Sequence, residues 1–254
     1  SLRGAFSGIM PSHRLHLIYS TVYSNIHHCM VATMPDTNLL KAVAERGVAS
    51  HERQQLQRFD WLQTALEIFV DEGIDAVRIT RLADDLGVTR GSFYWHFKDR
   101  RDLLHGLVSY WKDKNTAAIT ESIEAATSLA DGILRIFETC VDDALFDPRL
   151  DLALREWARR SASIRALVDG EDEARIDALC RFYRRFDFPM PEALIRARVL
   201  YYSQIGFYAL GTRESLQTRL GYTEAYFEAF TGRQLDAAEA QAFRRRMLAD
   251  HGDH

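Results

Sequence analysis

The stretch ITRLADDLGVTRGSFYWHFKDRR, Ile79 to Arg101, is the most informative in the chain. Ile79, Leu82, Ala83 and Leu86 recur at i, i+3, i+4 and i+7, one apolar face of a short helix. Thr80 is expected to cap that helix through its hydroxyl. Gly87 supplies a residue free to take a positive φ, so the chain turns without a Cβ clash. Thr89 is expected to cap a second helix and Asp99 a third. The second helix has a split character. Val88, Phe93 and Phe97 are expected to point into a small core. Arg90, Gly91, Ser92, Tyr94, Trp95, His96 and Lys98 leave donors and flat rings outside. A short helix with that outer face is a candidate for entering a DNA major groove.

The preceding residues build the rest of a three-helix unit. From His51 to Asp71 an amphipathic helix places Leu62, Ala65, Leu66 and Phe69 on one face. Gly73 follows as its C′ residue. Leu62, Leu66, Phe69, Ile74, Val77, Leu82, Leu86, Phe93 and Phe97 form the expected core. After Asp99, Leu103, Leu104, Leu107, Val108 and Trp111 continue a long helix to about Ala126, a rigid lever into the C-terminal half.

The remainder reads as helices. They span Leu129 to Leu145, Leu150 to Arg160 behind an Asp147-Pro148 start, Arg165 to Phe186, Glu192 to Leu210, Glu214 to Phe230 and Asp236 to Ala249. Pro189 and Pro191 separate two of them. No alternating run supports a sheet, so the chain is expected to be all-α. An N-terminal three-helix helix-turn-helix domain (55–115, with the motif at 79–98) precedes a larger helical bundle (116–254). Residues 1–50 carry Gly4, Gly8, Pro11, Pro35 and four histidines, with no sustained helical period. They are read as a disordered leader or a translation start placed too early. The adjacent His27 and His28 diverge on a helix and have no completing ligands, so no metal site is expected.

Composition narrows the function. The 254 residues are 47% apolar, enough for a sizeable core. Cys29, Cys140 and Cys180 form no disulfide framework, which suits a reducing cytoplasm. No apolar run reaches the ~18 residues of a membrane span. The net charge is −4, yet Arg78 to Arg101 holds six basic residues against three acidic ones. That is a local basic site of the kind phosphate contact needs. No Gly-rich phosphate loop or G-x-S-x-G elbow is present, so neither enzyme activity nor a cofactor is expected. Glu171-Asp172-Glu173 reads as a solvated helix face.

Residues 55–115 resemble the TetR-type transcriptional regulators. The resemblance rests on Phe69-Val70-Asp71-Glu72-Gly73-Ile74, Thr80-Arg81-Leu82-Ala83-Asp84-Asp85-Leu86-Gly87-Val88, Phe93-Tyr94-Trp95-His96-Phe97-Lys98 and Leu103-Leu104. Leu152 to Arg160 and Tyr201 to Gly206 are similar, more weakly, to one C-terminal subclass of the family. The resemblance implies an all-α homodimer that binds a palindromic double-stranded operator, most simply as a repressor, and is released by a small-molecule effector. Arg81, Arg90, Gly91, Ser92 and Tyr94 would face base edges. Thr80, Thr89, Trp95, His96, Lys98 and Arg100 would serve the phosphates and flank them. Arg is suited to guanine O6 and N7, and hydroxyl and N–H groups to phosphate oxygens. Phe137, Cys140, Trp157, Tyr183 and Tyr202 are candidates to line the effector cavity, and Glu192–Leu210 with Glu214–Phe230 to form the dimer seam. The competing reading is a helical ligand-binding or interaction protein without operator binding.

Overall fold

The computed structural model describes residues 58–251, and the expectations for residues 1–50 lie outside them. Among the described residues every regular element is helical. A first helix, α1, covers 58–72 and stops at Gly73, whose φ of +86° is the left-handed value that ends a helix. Then come α2 (Ile79–Asp85), α3 (Arg90–Phe93) and α4 (Arg100–Trp111). Gly87, at φ +66°, makes the turn between α2 and α3.

Local capping differs in part from the sequence-based expectation. Arg78, not Thr80, is the extended N-cap residue of α2, and Thr80 lies inside the helix. Thr89 does occupy the N-cap of α3, but its side chain makes no capping bond. The Ser92 hydroxyl donates back to the Thr89 carbonyl at 2.6 Å instead. Asp99 caps α4 as expected, accepting from the Asp102 N–H at 2.8 Å. The Asp102 carboxylate in turn accepts from the Lys98 N–H at 3.0 Å, a reciprocal arrangement that ties the motif to α4.

Past Trp111 the helical path continues through a five-residue π turn, Lys112–Thr116, into α5 (Ala117–Glu124). The wider turn brings Asn115 fully inside. There its amide donates to the Asp147 carbonyl and accepts from the Asp147 N–H, at 2.8 and 3.0 Å. The bundle continues with α6 (Leu129–Val141), α7 (Pro148–Ala158), α8 (Ala162–Arg185) and α9 (Glu192–Ala209). It closes with α10 (Leu216–Gly221), α11 (Thr223–Thr231) and α12 (Ala237–His251). The single helix expected over Glu214–Phe230 is two, because Tyr222 leaves helical geometry between α10 and α11.

Two apolar cores result. One joins Ile133, Ile136, Leu179, Phe182, Leu200, Phe227 and Phe243 inside the bundle. The other gathers Trp61, Phe69, Leu82, Phe93 and Phe97 with Leu103, Leu107 and Trp111, and runs on to Leu150, Leu154, Ile164 and Val168 of α7 and α8. The boundary drawn at residue 115 therefore falls within one continuous helical run, and the core of the first three helices does not stop there. Among the described residues no helix is long and apolar enough to cross a membrane.

Candidate nucleic-acid interface

Helix α3 is a single turn, too short to hold itself together by its own hydrogen bonds. Aromatic packing fixes it. Phe93 meets Trp61 of α1 edge-on at 5.3 Å and stacks with Phe97 at 5.4 Å, both phenyl rings being buried. Arg58 closes the other side. Its guanidinium lies 4.2 Å from the centre of the Phe97 ring and donates to the His96 carbonyl at 3.2 Å. Sequence reasoning missed Arg58, which stands outside the apolar period that marks α1, and Trp61, although it lies one turn before Ala65 on the buried face.

What this scaffold leaves outside is unusual. Trp95 is 80% exposed and Tyr94 54% exposed. Thr80, Thr89, Arg90, Gly91 and Lys98 are exposed with them, and Ser92 and His96 are partly so. Arg90 and Tyr94 share one strip of the turn, and Gly91 and Trp95 the next. Burial and the charge of Arg58 hold the His96 imidazole below its ordinary value, so it is neutral at pH 7.

Two of the expected arginines are engaged elsewhere. The Arg81 guanidinium forks onto the Glu72 carboxylate, with both contacts at 2.5 Å, and its Nε reaches Asp85 at 3.5 Å. Arg100 is turned inward, donating to the carbonyls of Val77 and Ile74 at 2.6 Å each. It ties the loop after α1 to α4 and does not stand with the outward-facing group. Val88 is a further correction: it is 44% exposed, because the turn at Gly87 swings it away from Phe93 and Phe97.

The five residues expected to line an effector cavity lie in different surroundings. Tyr183 is fully buried, and its hydroxyl donates to the Phe230 carbonyl at 3.2 Å. Tyr202 is 57% exposed on the outer face of α9. Phe137 packs edge-on against Phe243 at 5.8 Å. The Cys140 carbonyl accepts from the Tyr208 hydroxyl at 2.7 Å, and burial pushes the thiol up to about 12, so it stays protonated. Trp157 faces a cleft of about 510 Å³ between α1, its following loop and α7. Phe69, against which Trp157 packs edge-on at 5.8 Å, and Leu152 also line it.

The bundle interior holds instead a polar cluster that sequence reasoning missed. Asp151, almost wholly buried, accepts from Trp111 Nε1 at 2.8 Å, Arg175 Nη1 at 3.0 Å and Arg155 Nε at 2.8 Å. Burial alone would raise its carboxyl, but Arg175 and Arg155 outweigh that and hold it below the usual carboxylate range. Arg155 also forks onto Asp172 with two contacts of 2.8 Å, and the Tyr201 hydroxyl donates to Asp172 at 2.6 Å. The Glu171-Asp172-Glu173 run is thus only partly a solvated face. Asp172 belongs to the interior network and Glu171 pairs with Lys112 at 2.7 Å. Among the described residues no group of three His, Cys, Asp or Glu side chains is placed to hold a metal ion.

Comparison with known proteins places this geometry. Residues 62–107 match the family described as bacterial regulatory proteins, tetR family. The chain is 32% identical over 152 residues to the class C tetracycline repressor protein of Escherichia coli, a match spanning 60% of this chain and 64% of that protein. It is 45% identical over 42 residues to the HTH-type transcriptional regulator AcrR of Shigella flexneri, 16% of this chain and 20% of that one. The chain therefore spans less than two thirds of the length of these relatives. The crystal structure of a TetR family transcription regulator from Marinobacter aquaeolei VT8 superposes with a TM-score of 0.52 at 19% identity, covering 72% of this chain and 97% of that one, a likeness of fold. The one-turn helix presented after a tight glycine turn falls within the residues, 62–107, that match the tetR family of bacterial regulatory proteins.

Proposed function

We propose that the chain is a ligand-responsive transcriptional regulator, working in the cytoplasm as a homodimeric repressor of a palindromic operator and released by a small molecule. The observation that carries this reading is the outer face of α3. An indole exposed to 80% stands there beside a half-exposed phenol. Arg90 and Lys98 beside them make no ion pair among the described residues. Free cations and donors around a short helix suit phosphate and base-edge contact. Arg90 is the reader best placed for guanine, because Arg81 is already held by two carboxylates.

A second apolar surface supports a dimer. Ile195, Val199, Tyr202 and Leu210 lie exposed along α9, and Tyr222 and Tyr226 continue the patch beside it. Tyr226 also stacks on Phe230 at 5.6 Å. A run of rings and branched side chains of this size is suited to burial against its own copy across a two-fold axis. Two α3 helices would then read half-sites about one DNA turn apart, ~34–36 Å.

The test is a mobility shift on the DNA flanking the coding sequence, repeated across salt concentrations. Specific binding whose affinity falls steeply with salt is expected. Salt-independent or absent binding would favour a helical ligand-binding protein that does not read DNA.

A further inference from the structure

Arg175 has five N–H donors and uses three. Its Nε donates to the Thr116 hydroxyl at 3.0 Å, and its Nη1 serves both Asp151 and the Tyr201 hydroxyl. Its Nη2, buried in a side chain with no exposure, has no partner. One turn beyond Tyr201 on α9, the Gln204 amide nitrogen is likewise buried and, with the Tyr208 hydroxyl as its neighbour, makes no well-formed hydrogen bond. Two orphan donors in one layer of a bundle are rare, since an unmatched buried N–H carries its full desolvation cost.

The charges are also unevenly shared. Arg155 makes three carboxylate contacts at 2.8 Å, whereas Arg175 makes one, at 3.0 Å, to an aspartate it shares with Arg155. Next to this layer the rings of Phe146 and Tyr208 stack at 5.6 Å, and Phe207 meets Tyr208 edge-on at 5.9 Å. We propose that the layer between α8 and α9 receives a small aromatic carboxylate. One of its oxygens would accept from Arg175 Nη2 and the other from Gln204 Nε2, with its ring beside Tyr208. This deepens the ligand-responsive function proposed for the chain and rests on it.

The route to the DNA-binding end passes through the same guanidinium. Arg175 lies 5.1 Å from the Trp111 ring centre and holds Thr116 at the end of the π turn. An acid that draws Arg175 toward α9 loosens both contacts at the point where α4 enters the bundle.

The test is calorimetric titration of the full chain with benzoate, phenylacetate and 3-phenylpropionate, each beside its primary amide, with tryptophan emission followed in parallel. At least one acid is expected to bind about tenfold or more tighter than its amide and to shift the emission, as loss of a charge-assisted pair requires. Gln204→Leu, which leaves the Asp151 network intact, should weaken that acid about tenfold at unchanged melting temperature. The proposal is overturned if no acid binds, if the amides bind equally well, or if Gln204→Leu leaves the affinity unaltered. A mobility shift without acid separates the two readings. DNA binding without acid binding removes this proposal alone, and acid binding without DNA binding removes the operator reading alone.

Discussion

The indole N–H of Trp111 donates to Asp151 Oδ1 at 2.8 Å, so the last residue of α4 is bonded to a carboxylate of α7 that is 1% exposed. The same carboxylate holds arginines from α7 and α8. One side chain thereby joins the helix that leaves the N-terminal unit to the two that lead into the bundle.

Replacing that carboxylate should be severe. Asp151→Ala strands Arg175 without compensation and is expected to destabilise the fold by about 3–5 kcal/mol. The pH dependence has a definite sign. The folded carboxyl lies below its unfolded value, so its contribution is present above about pH 4 and is lost as pH falls through the folded value. Melting curves of wild type and Asp151→Asn, compared at neutral pH and below pH ~4, should converge on the acid side. A gap that stays constant would mean that the charge of Asp151 contributes nothing.

At α3, Arg90→Ala is expected to weaken a specific operator by about 1–3 kcal/mol and to relax one base position. Arg100→Ala should act differently. It removes bonds to Ile74 and Val77 and should lower the melting temperature before it alters base preference. Selection of bound DNA from a random pool, run beside thermal melts, distinguishes a reader from a tie.

His96 offers a titration. It is neutral at pH 7 in the free protein, and a neighbouring phosphate favours its charged form. Binding should therefore take up a proton, and operator affinity should rise as pH falls from about 7.5 to about 6, by up to roughly one decade per pH unit. His96→Gln should flatten that slope. If the wild-type slope is already flat, His96 does not meet phosphate.

The bundle has its own sensitive point at Gly132 of α6. A Cβ there would come within 2.1 Å of the Phe182 ring on α8, so the two helices approach as closely as they do only because the side chain is missing. Gly132→Ala is expected to destabilise by about 1–3 kcal/mol, measured by denaturant unfolding. A neutral result would mean that Phe182 swings aside freely.

The exposed face of α9 can be charged without touching the core. Val199→Asp with Tyr202→Glu should convert a dimer into a folded monomer in sedimentation velocity and abolish operator binding at nanomolar protein. A dimer that survives both changes would place the seam elsewhere.

The motif was legible in the sequence because its determinants are local. The period from Ile79 to Leu86, the turn at Gly87 and the Asp99 cap all act within one or two helical turns. The ends of the later helices were legible where a cap names them, as at Asp147-Pro148, and were merged at Tyr222, where the adjacent Gly221 takes no positive φ of the kind that ends a helix. Function-bearing groups separated by dozens of residues were not legible. Nothing near Arg175 announces Asp151 or Thr116, and Asp172 looks like any acid on a helix surface until Arg155 is folded against it. Arg81 and Arg100 show the converse: residue type suggests DNA, while Glu72 and two carbonyls decide what each holds. Aromatic spacing likewise marks burial without marking which buried rings share a space.

The π turn at Lys112–Thr116 sets an azimuth as well as a link. Each residue of a regular helix advances the chain by about 100° around its axis, and a π turn accommodates one residue more than that rhythm allows. Removing one residue from this segment would turn α1 to α4 by about that angle against the helices that follow, and would pull Phe69 off Trp157 and Trp111 off Asp151 in the core they share. The length of these five residues thus fixes the bearing on which α3 and Trp95 face outward.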